Sequence, residues 1–289
     1  MTIEIRFLKN KNFTEIHATS IEAFSDYAFD MSHLTEKVLY NRAIKNGISL
    51  DCSVAAYEND RMVAYALIGI GPWKNTVSAF NISTGIIKPF RGQGIANQMF
   101  DSILKKLVSK GIHKFVLEVL QNNTPAVKAY EKTGFYIVRE LDCFQLEFSK
   151  KKTFDKKVKD LQIQPIKKDQ LSEFHSFLDW PPSWENSFAA IQRIPDEVVL
   201  LSAVHENRPV GLLAYYPALN WVMCLAVDKP LRRTGIAAGL LSSLIEKIQD
   251  KVPLVKLVNV LHTDNATIRF LSRMGFEKYA GQYEMELEF

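Results

Sequence analysis

The feature that most narrows what this chain can fold into is a repeat. Pro89 and Pro230, Arg91 and Arg232, Gly94 and Gly235, Ala96 and Ala237, and Gly134 and Gly275 are each separated by 141 residues (230 − 89, for example). The apolar positions keep the same register. Ile95, Ala96, Met99, Phe100, Ile103, Leu104 and Leu107 recur as Ile236, Ala237, Leu240, Leu241, Leu244, Ile245 and Ile248, a spacing that lays one apolar stripe along a helix in each half. Small, charged and apolar positions held in one register indicate tandem duplication of a single folding unit. With 289 residues, 47% of them apolar, the chain has room for two domains of common size. Near residue 150 the sequence turns to SKKKTFDKKVKD, almost all charge, which reads as a linker. The predicted division is a first domain at 1–149, a linker at 150–160 and a second domain at 161–289.

Within the first half, alternation predicts a strand at 3–8, followed by a helix at 12–24 capped near Asn12. Residues 25–46 are helical in parts, and their Asp26, Tyr27, Phe29, Asp30, His33 and Glu36 suit either a pocket wall for a cationic amine or a solvated pair of amphipathic helices. Strands at 53–57 and 61–68 flank the turn Glu58-Asn59-Asp60 as a hairpin, 69–75 reads as a loop, and a further strand runs into Ile86 and Ile87. After the central helix come a strand at 114–120, a short helix at 124–132 and a strand pair at 135–148. The order β-α-α-β-β-β-α-β-α-β describes an α/β chain with a mixed, α+β-type sheet. The second half restarts with a strand at 161–166, a helix from about Asp169 and the hairpin AVHENRPVGLLAYY.

The stretch STGIIKPFRGQGIANQMF runs from a strand through Gly92 and Gly94 into a helix. Free amides at a helix start, glycines that let a ligand approach the backbone and the adjacent Arg91 together suit a phosphate or pyrophosphate. A dinucleotide-binding turn is the competing reading, but Asn97 stands where its third glycine belongs and the turn follows several strands instead of the first. A net charge of +4 with no basic, aromatic-interleaved face argues against nucleic acid as a partner. Cys52, Cys143 and Cys224 fit neither a disulfide framework nor metal-ligand spacing, so no metal is expected and a reducing, cytoplasmic setting is. No signal peptide or membrane-length apolar run is evident, and no membrane association is expected. Nothing in the sequence sets an oligomeric state.

Arg91-Gly92-Gln93-Gly94-Ile95-Ala96 and Arg232-Arg233-Thr234-Gly235-Ile236-Ala237 resemble the acyl-CoA motif of the GNAT superfamily of N-acetyltransferases, Arg/Gln-x-x-Gly-x-Gly/Ala. The resemblance covers both halves, most strongly 84–135 and 225–276. It implies two tandem GNAT folds in which the fourth and fifth strands splay and the pantetheine arm of acetyl-CoA lies along the freed edge of Thr84, Gly85 and Ile86. The pyrophosphate then meets the amides of Gly92 to Asn97, with Asn123 nearby. In the second half the matching edge is Leu225, Ala226 and Val227, and the matching cradle runs from Arg233 to Ala238. Close helix-sheet packing is the alternative use of Gly94 and Ala96.

The resemblance also implies the chemistry. An acceptor amine is mostly protonated at neutral pH, so a base must act first, and the departing thiolate then needs a proton. Tyr130, in Asn123-x-x-Ala126-x-x-x-Tyr130-x-x-x-Gly134-Phe135, stands where many family members keep the acid; the alternative is an aromatic core residue. Glu118 interrupts an apolar strand, and its spacing from Tyr130 is similar to that of the base in ribosomal-protein alanine acetyltransferases; a structural carboxylate is the alternative. Asp26 or Glu22, acting through water, are the reserve bases, and His33 and His113 are lone histidines. In the second half Leu271, Asn259 and Asp264 occupy the positions of Tyr130, Glu118 and Asn123, so that half is expected to be catalytically degenerate. Tyr279 or Tyr283 could substitute there, and tandem members whose second half is the active one keep that arrangement open. The expected activity is acetyl transfer to a primary amine, a small molecule being preferred to a protein as acceptor. The rival is a non-catalytic acyl-CoA-binding or scaffold protein.

Overall fold

The structure is a computed structural model that describes residues 3–9, 12–26, 34–150 and 160–289. Tyr27, Phe29, Asp30 and His33, and most of the expected linker, lie outside the described residues. The chain forms two compact units, one comprising 1–119, 123–138 and 284–289, the other 120–122 and 139–283.

In the first unit the strands are β1 (Glu4–Phe7), β2 (Val54–Glu58), β3 (Arg61–Trp73), β4 (Thr76–Ile86) and β5 (Lys114–Leu120). They lie side by side in that order, and the end of the last strand of the chain, β12 (Glu277–Glu288), lies next to β5. β4 and β5 pair in parallel, while β1 with β2, β2 with β3 and β3 with β4 pair antiparallel. Helix α1 (Phe13–Ala23) rests on β3 and β4 and against α2 (Glu36–Lys45), while α3 (Ile95–Ser109) packs over β1 to β3 and against α4 (Thr124–Thr133). The apolar stripe read from the sequence is the buried face of α3: Ile95, Met99, Phe100, Ile103 and Leu107. A fully buried leucine-sized side chain contributes roughly 1.5–3 kcal/mol, so this stripe fixes how α3 lies on the sheet.

Two expectations are corrected here. Residues 69–73 are not a loop, because Gly69 to Trp73 pair with Phe80 to Thr76 and β3 runs unbroken into the turn. Lys74 and Asn75 alone make the turn, both with positive φ (44° and 70°), the conformation that two-residue hairpins favour because its twist matches that of the strands. Residues 135–148 are not a hairpin either. They form one strand, β6 (Tyr136–Glu147), most of which belongs to the second unit.

In the second unit β6 pairs antiparallel with β11 (Leu254–Leu261), followed in order by β10 (Trp221–Val227), β9 (Arg208–Tyr216), β8 (Val199–His205) and β7 (Gln162–Pro165). Here β10 and β11 are the parallel pair. The buried face of α6 (Ile236–Ile248) is again the repeated stripe, Ile236, Leu240, Leu241, Leu244, Ile245 and Ile248. The helix expected from Asp169 is a run of 3-10 turns over Lys168–Phe177, followed by a short α5 (Phe188–Arg193). Helix α7 (Asn265–Arg273) precedes β12. No helix among the described residues is long and apolar enough to cross a membrane.

Candidate functional site

Both units carry a forked sheet at the same place in the repeat. Parallel pairing of β4 with β5 covers Ala79 to Asn81 and ends at Asn81 opposite Leu117, although β4 continues to Ile86 and β5 to Leu120. Pairing of β10 with β11 ends at Val222 opposite Leu257. The cause is an extra residue. Ile82 has no partner between the pairs Asn81↔Ile68 and Ser83↔Leu67, and Met223 has none between Val222↔Tyr215 and Cys224↔Ala214. Ile82 and Met223 are equivalent in the repeat, and a bulge bends its strand and sharpens its twist, which turns the rest of β4 and β10 away from the neighbouring strand.

Beyond each fork a helix opens without a side-chain cap. Gly92 and Gly94 both sit at φ +77°, and a Cβ built on either would meet nothing within 4 Å, so these glycines serve the left-handed turn and not helix-sheet packing. The second turn copies the conformation with Arg233 at φ 67° and Gly235 at φ 109°. The amides of Gly92, Gln93, Gly94, Ile95, Ala96 and Asn97 donate to no carbonyl or side chain among the described residues. Those from Arg233 through Thr234, Gly235, Ile236 and Ala237 to Ala238 behave identically. Six bare amides with the positive end of a helix dipole make a cradle that could hold an anion.

The motif arginines are not free to reach into that cradle. Arg91 gives a two-pronged ion pair to Asp26 (2.8 Å), and also donates to the carbonyls of Ala23 (2.7 Å) and Ile86 (3.1 Å). Arg232 repeats this on Asp179, on the Phe177 carbonyl (2.8 Å) and on the Val227 carbonyl (3.2 Å). Each guanidinium therefore clamps the end of the cradle strand to the chain that enters the fork, a geometry that a planar five-donor group makes and an ammonium does not. The Arg91 guanidinium holds the Asp26 carboxyl below the usual carboxylate range. Asp26 is thus tied up as a reserve base, and Glu22 is bound through both oxygens by Arg61 (2.8 Å).

On the strand edge, Gly85 is buried and a Cβ there would lie 2.7 Å from the Tyr65 ring, so its lack of a side chain lets β4 close on Tyr65. Ile86 offers its carbonyl to Arg91. Thr84 turns inward and donates to Asn81 Oδ1 (2.9 Å), and Asn81 Nδ2 donates to Tyr130 Oη (3.1 Å). Asn123 caps α4 by accepting from the Ala126 amide (3.3 Å), which sets where the helix starts and so where Tyr130 falls. The Tyr130 ring meets Phe100 and Phe135 edge-on, each with centroids 5.8 Å away. Tyr130 is therefore both an aromatic wall and a hydroxyl at the fork. Glu118, partly buried, is the first residue of β5 beyond the last β4–β5 pair. Sequence reading missed Asn81; its signal was an amide inside the apolar strand Ala79-Phe80-Asn81-Ile82, at the repeat position where the second half has Val222.

The second fork keeps the frame and loses the polar groups. Leu271 is fully buried, and Val222, Leu225 and Leu271 stand where the first half has Asn81, Thr84 and Tyr130. Asp264 does the work of Asn123, accepting from the Thr267 amide (3.0 Å). Burial raises its pKa, but hydrogen bonds from Thr267, Trp180 and the Ala266 amide outweigh that and keep it below the usual range. Asn259 adopts φ 60° in a bulge of β11 and donates to Ser183 Oγ (3.0 Å). Asn186 donates to the Val258 carbonyl (2.8 Å), and Trp180 to Asp264 (3.0 Å), so residues 180–186 are strapped over the Asn259 side of the fork. A cavity of about 850 Å³ runs from the cradle amides along β10 to α7, whose Arg269 and Arg273 also line it. Tyr279 and Tyr283 are not among its walls, and burial pushes the Tyr279 phenol far up.

A sheet forked at a bulge, beside a helix that opens with bare amides, defines the architecture twice over. The sequence profile of the Acetyltransferase (GNAT) family matches residues 13–135 and 163–276, and the chain belongs to that family. A mycothiol acetyltransferase of Corynebacterium aurimucosum is 41% identical over 56 residues, 19% of this chain and 18% of that protein. N-alpha-acetyltransferase 30 of Schizosaccharomyces pombe is 30% identical over 84 residues, 29% and 56% of the two chains. The chain thus spans under a fifth of the first relative and just over half of the second. A GCN5-related N-acetyltransferase from Sphaerobacter thermophilus shares the fold with TM-score 0.75 at 15% identity, over 99% of this chain and 95% of that one. A tandem GNAT protein from the clavulanic acid biosynthesis pathway gives TM-score 0.73 at 12% identity, over 99% and 98%.

Proposed function

We propose that the protein is an acetyl-CoA-dependent N-acetyltransferase whose chemistry is carried by the first unit. The observation that supports this reading is the meeting of three groups at one fork: the bare cradle amides, the Tyr130 hydroxyl held by Asn81, and Glu118 just past the last strand pair. In the proposed reaction Glu118, directly or through water, takes a proton from the ammonium of the acceptor. The amine nitrogen attacks the thioester carbonyl, the C–S bond breaks with its electron pair on sulfur, and Tyr130 gives that thiolate its proton. The new amide nitrogen sheds its second proton, which returns the phenolate to the phenol directly or through water, and Glu118 releases its proton to solvent.

The second unit, in this proposal, holds a CoA thioester or free CoA without turning it over. What supports this is the cavity that joins the helix-start cradle, Arg269 and Arg273 to an apolar end at Val222 and Leu257, with no tyrosine hydroxyl in its walls. The binding-only reading is therefore favoured for that unit alone. The acceptor is proposed to be a small primary amine. The deciding experiment is thiol release from acetyl-CoA across a panel of spermidine, free amino acids and an alanyl-initiated peptide, comparing wild type with Tyr130→Phe. Loss of turnover on the order of 10²–10⁴-fold with acetyl-CoA affinity retained is the expected result. Equal turnover would make Tyr130 a core residue.

A further inference from the structure

Asn81 is an amide in the middle of an apolar strand, 7% exposed, at the last paired position before the bulge. A buried amide is costly unless both ends are satisfied. Here both are. The carbonyl end accepts from Thr84 Oγ1 (2.9 Å), which leaves the NH₂ end to face Tyr130 Oη (3.1 Å). A hydroxyl that accepts from an amide must give its own proton elsewhere, so this arrangement fixes the sense of the hydrogen bond as well as the place of the phenol.

The fold does not need these two residues. The second fork has the same bulge, at Met223, and forms with Val222 and Leu225 in their places. The repeat that lacks the tyrosine lacks both polar partners too. We propose that Asn81 and Thr84 are positioning residues for Tyr130: Asn81 aims the phenol proton away from the strand and stabilises the phenolate left after transfer, and Thr84 locks the amide against flipping. This rests on the reading of Tyr130 as the acid that protonates the thiolate.

The test is Asn81→Asp, which keeps the shape but replaces the NH₂ donor with an oxygen acceptor, together with Thr84→Val, which keeps the shape and frees the amide to flip. In Asn81→Asp the ionised carboxylate accepts the phenol's hydrogen bond, so the O–H turns toward position 81 and away from the thiolate. We expect kcat for thiol release, with the best acceptor of the panel, to fall on the order of 10–10²-fold, with KM for acetyl-CoA within about twofold. Because the introduced carboxyl, once protonated, can donate as the Asn81 amide does, the ratio of mutant to wild-type kcat should rise as pH falls, which a packing defect would not produce. Thr84→Val should lose about 3–10-fold in kcat with a flat ratio. Independently of turnover, the ¹³Cζ resonance of Tyr130, assigned by its absence in Tyr130→Phe, should titrate at least about one pH unit higher in Asn81→Asp, because a negative neighbour opposes phenolate formation. If Tyr130→Phe loses turnover while Asn81→Asp and Thr84→Val keep wild-type kcat, or if the Tyr130 titration does not move, the positioning role is overturned and the acid role stands. If Tyr130→Phe itself keeps full turnover, the reading beneath both is wrong.

Discussion

Glu286 offers the sharpest test of how the first unit is held together. It lies on the part of β12 that belongs to that unit, is 4% exposed, and accepts from Lys74 Nζ (2.6 Å), Trp73 Nε1 (3.2 Å) and Lys114 Nζ (3.3 Å). Glu286→Gln removes the charge and turns an amide toward two ammonium groups. Breaking a buried ion pair outright costs about 3–5 kcal/mol, mostly because the remaining charge is left unpaired. Here Lys74 keeps Glu284 at 3.6 Å and Lys114 keeps Glu288 at 2.9 Å. The expected loss is therefore smaller, about 2–3 kcal/mol, close to that of charged hydrogen bonds exchanged for neutral ones. With a urea dependence of roughly 1.5–2 kcal/mol per molar, the midpoint at pH 7 should fall by about 1–2 M, read by circular dichroism. The pH dependence has a definite sign. Burial raises the Glu286 pKa, but the bonds from Lys74 and Trp73 and the charges of Lys74 and Lys114 outweigh it and hold the carboxyl below its usual range. A depressed folded-state pKa gives stability that is present above the unfolded value and is lost as pH falls through the folded one. The gap between wild type and Glu286→Gln should thus be full at neutral pH and close in acid. Equal midpoints at pH 7, or a gap that widens on acidification, would refute the argument.

Gly94→Asp puts a carboxylate where the cradle amides face solvent, and calorimetry should show acetyl-CoA binding weakened at least about tenfold with the fold retained. Arg91→Glu is the poorer test, since it would face Asp26 with a second carboxylate and disturb the clamp before it disturbed a ligand. Gly235→Asp should remove the second binding event while sparing most turnover; complete loss of turnover there, with Gly94→Asp active, would move the chemistry to the second half. Asn123→Ala should lower stability by about 1 kcal/mol through loss of the α4 cap and lower kcat as well, because the same cap sets the start of the helix that carries Tyr130. A variant with unchanged thermal midpoint would show that the cap contributes little.

The repeat was the most legible part of the sequence because it is written in side chains whose spacing survives without tertiary context: a helix stripe, two prolines and the turn glycines. Strand ends were less legible. The stretch Gly69-Ile70-Gly71-Pro72-Trp73 has turn-like composition, yet it stays in the sheet because its backbone finds a full antiparallel partner, something composition does not encode. The motif arginine was legible as a residue but not in its role. Beside a helix N-terminus it suggests an anion, whereas an aspartate (Asp26, Asp179) and two carbonyls outcompete that use in each half, and the aspartate and one of the carbonyls lie 53 to 68 residues away in sequence. Tyr130 was singled out through the family resemblance; Asn81 was not, since its meaning depends on a bulge that reorients one strand.

The strand exchange changes what the second half contributes. β5 in the first unit has β12 beside it, and β12 comes from the far end of the chain, while the first half's own last strand, β6, pairs with β11. A sheet edge left open at β5 would expose a row of unpaired amides and carbonyls next to the strand that carries Glu118. It would also leave Lys74 and Lys114 without Glu286. Residues 284–289 thus complete the unit that holds Tyr130 whatever happens at the second fork. The contribution of the second half to the first unit is thus residues 284–289, and nothing in that contribution requires a hydroxyl at position 271 or a carboxylate at position 259. Leu271 and Asn259 fit that framework and offer no acid or base side chain, so under the proposed division of labour the second repeat can keep its fold without proton transfer.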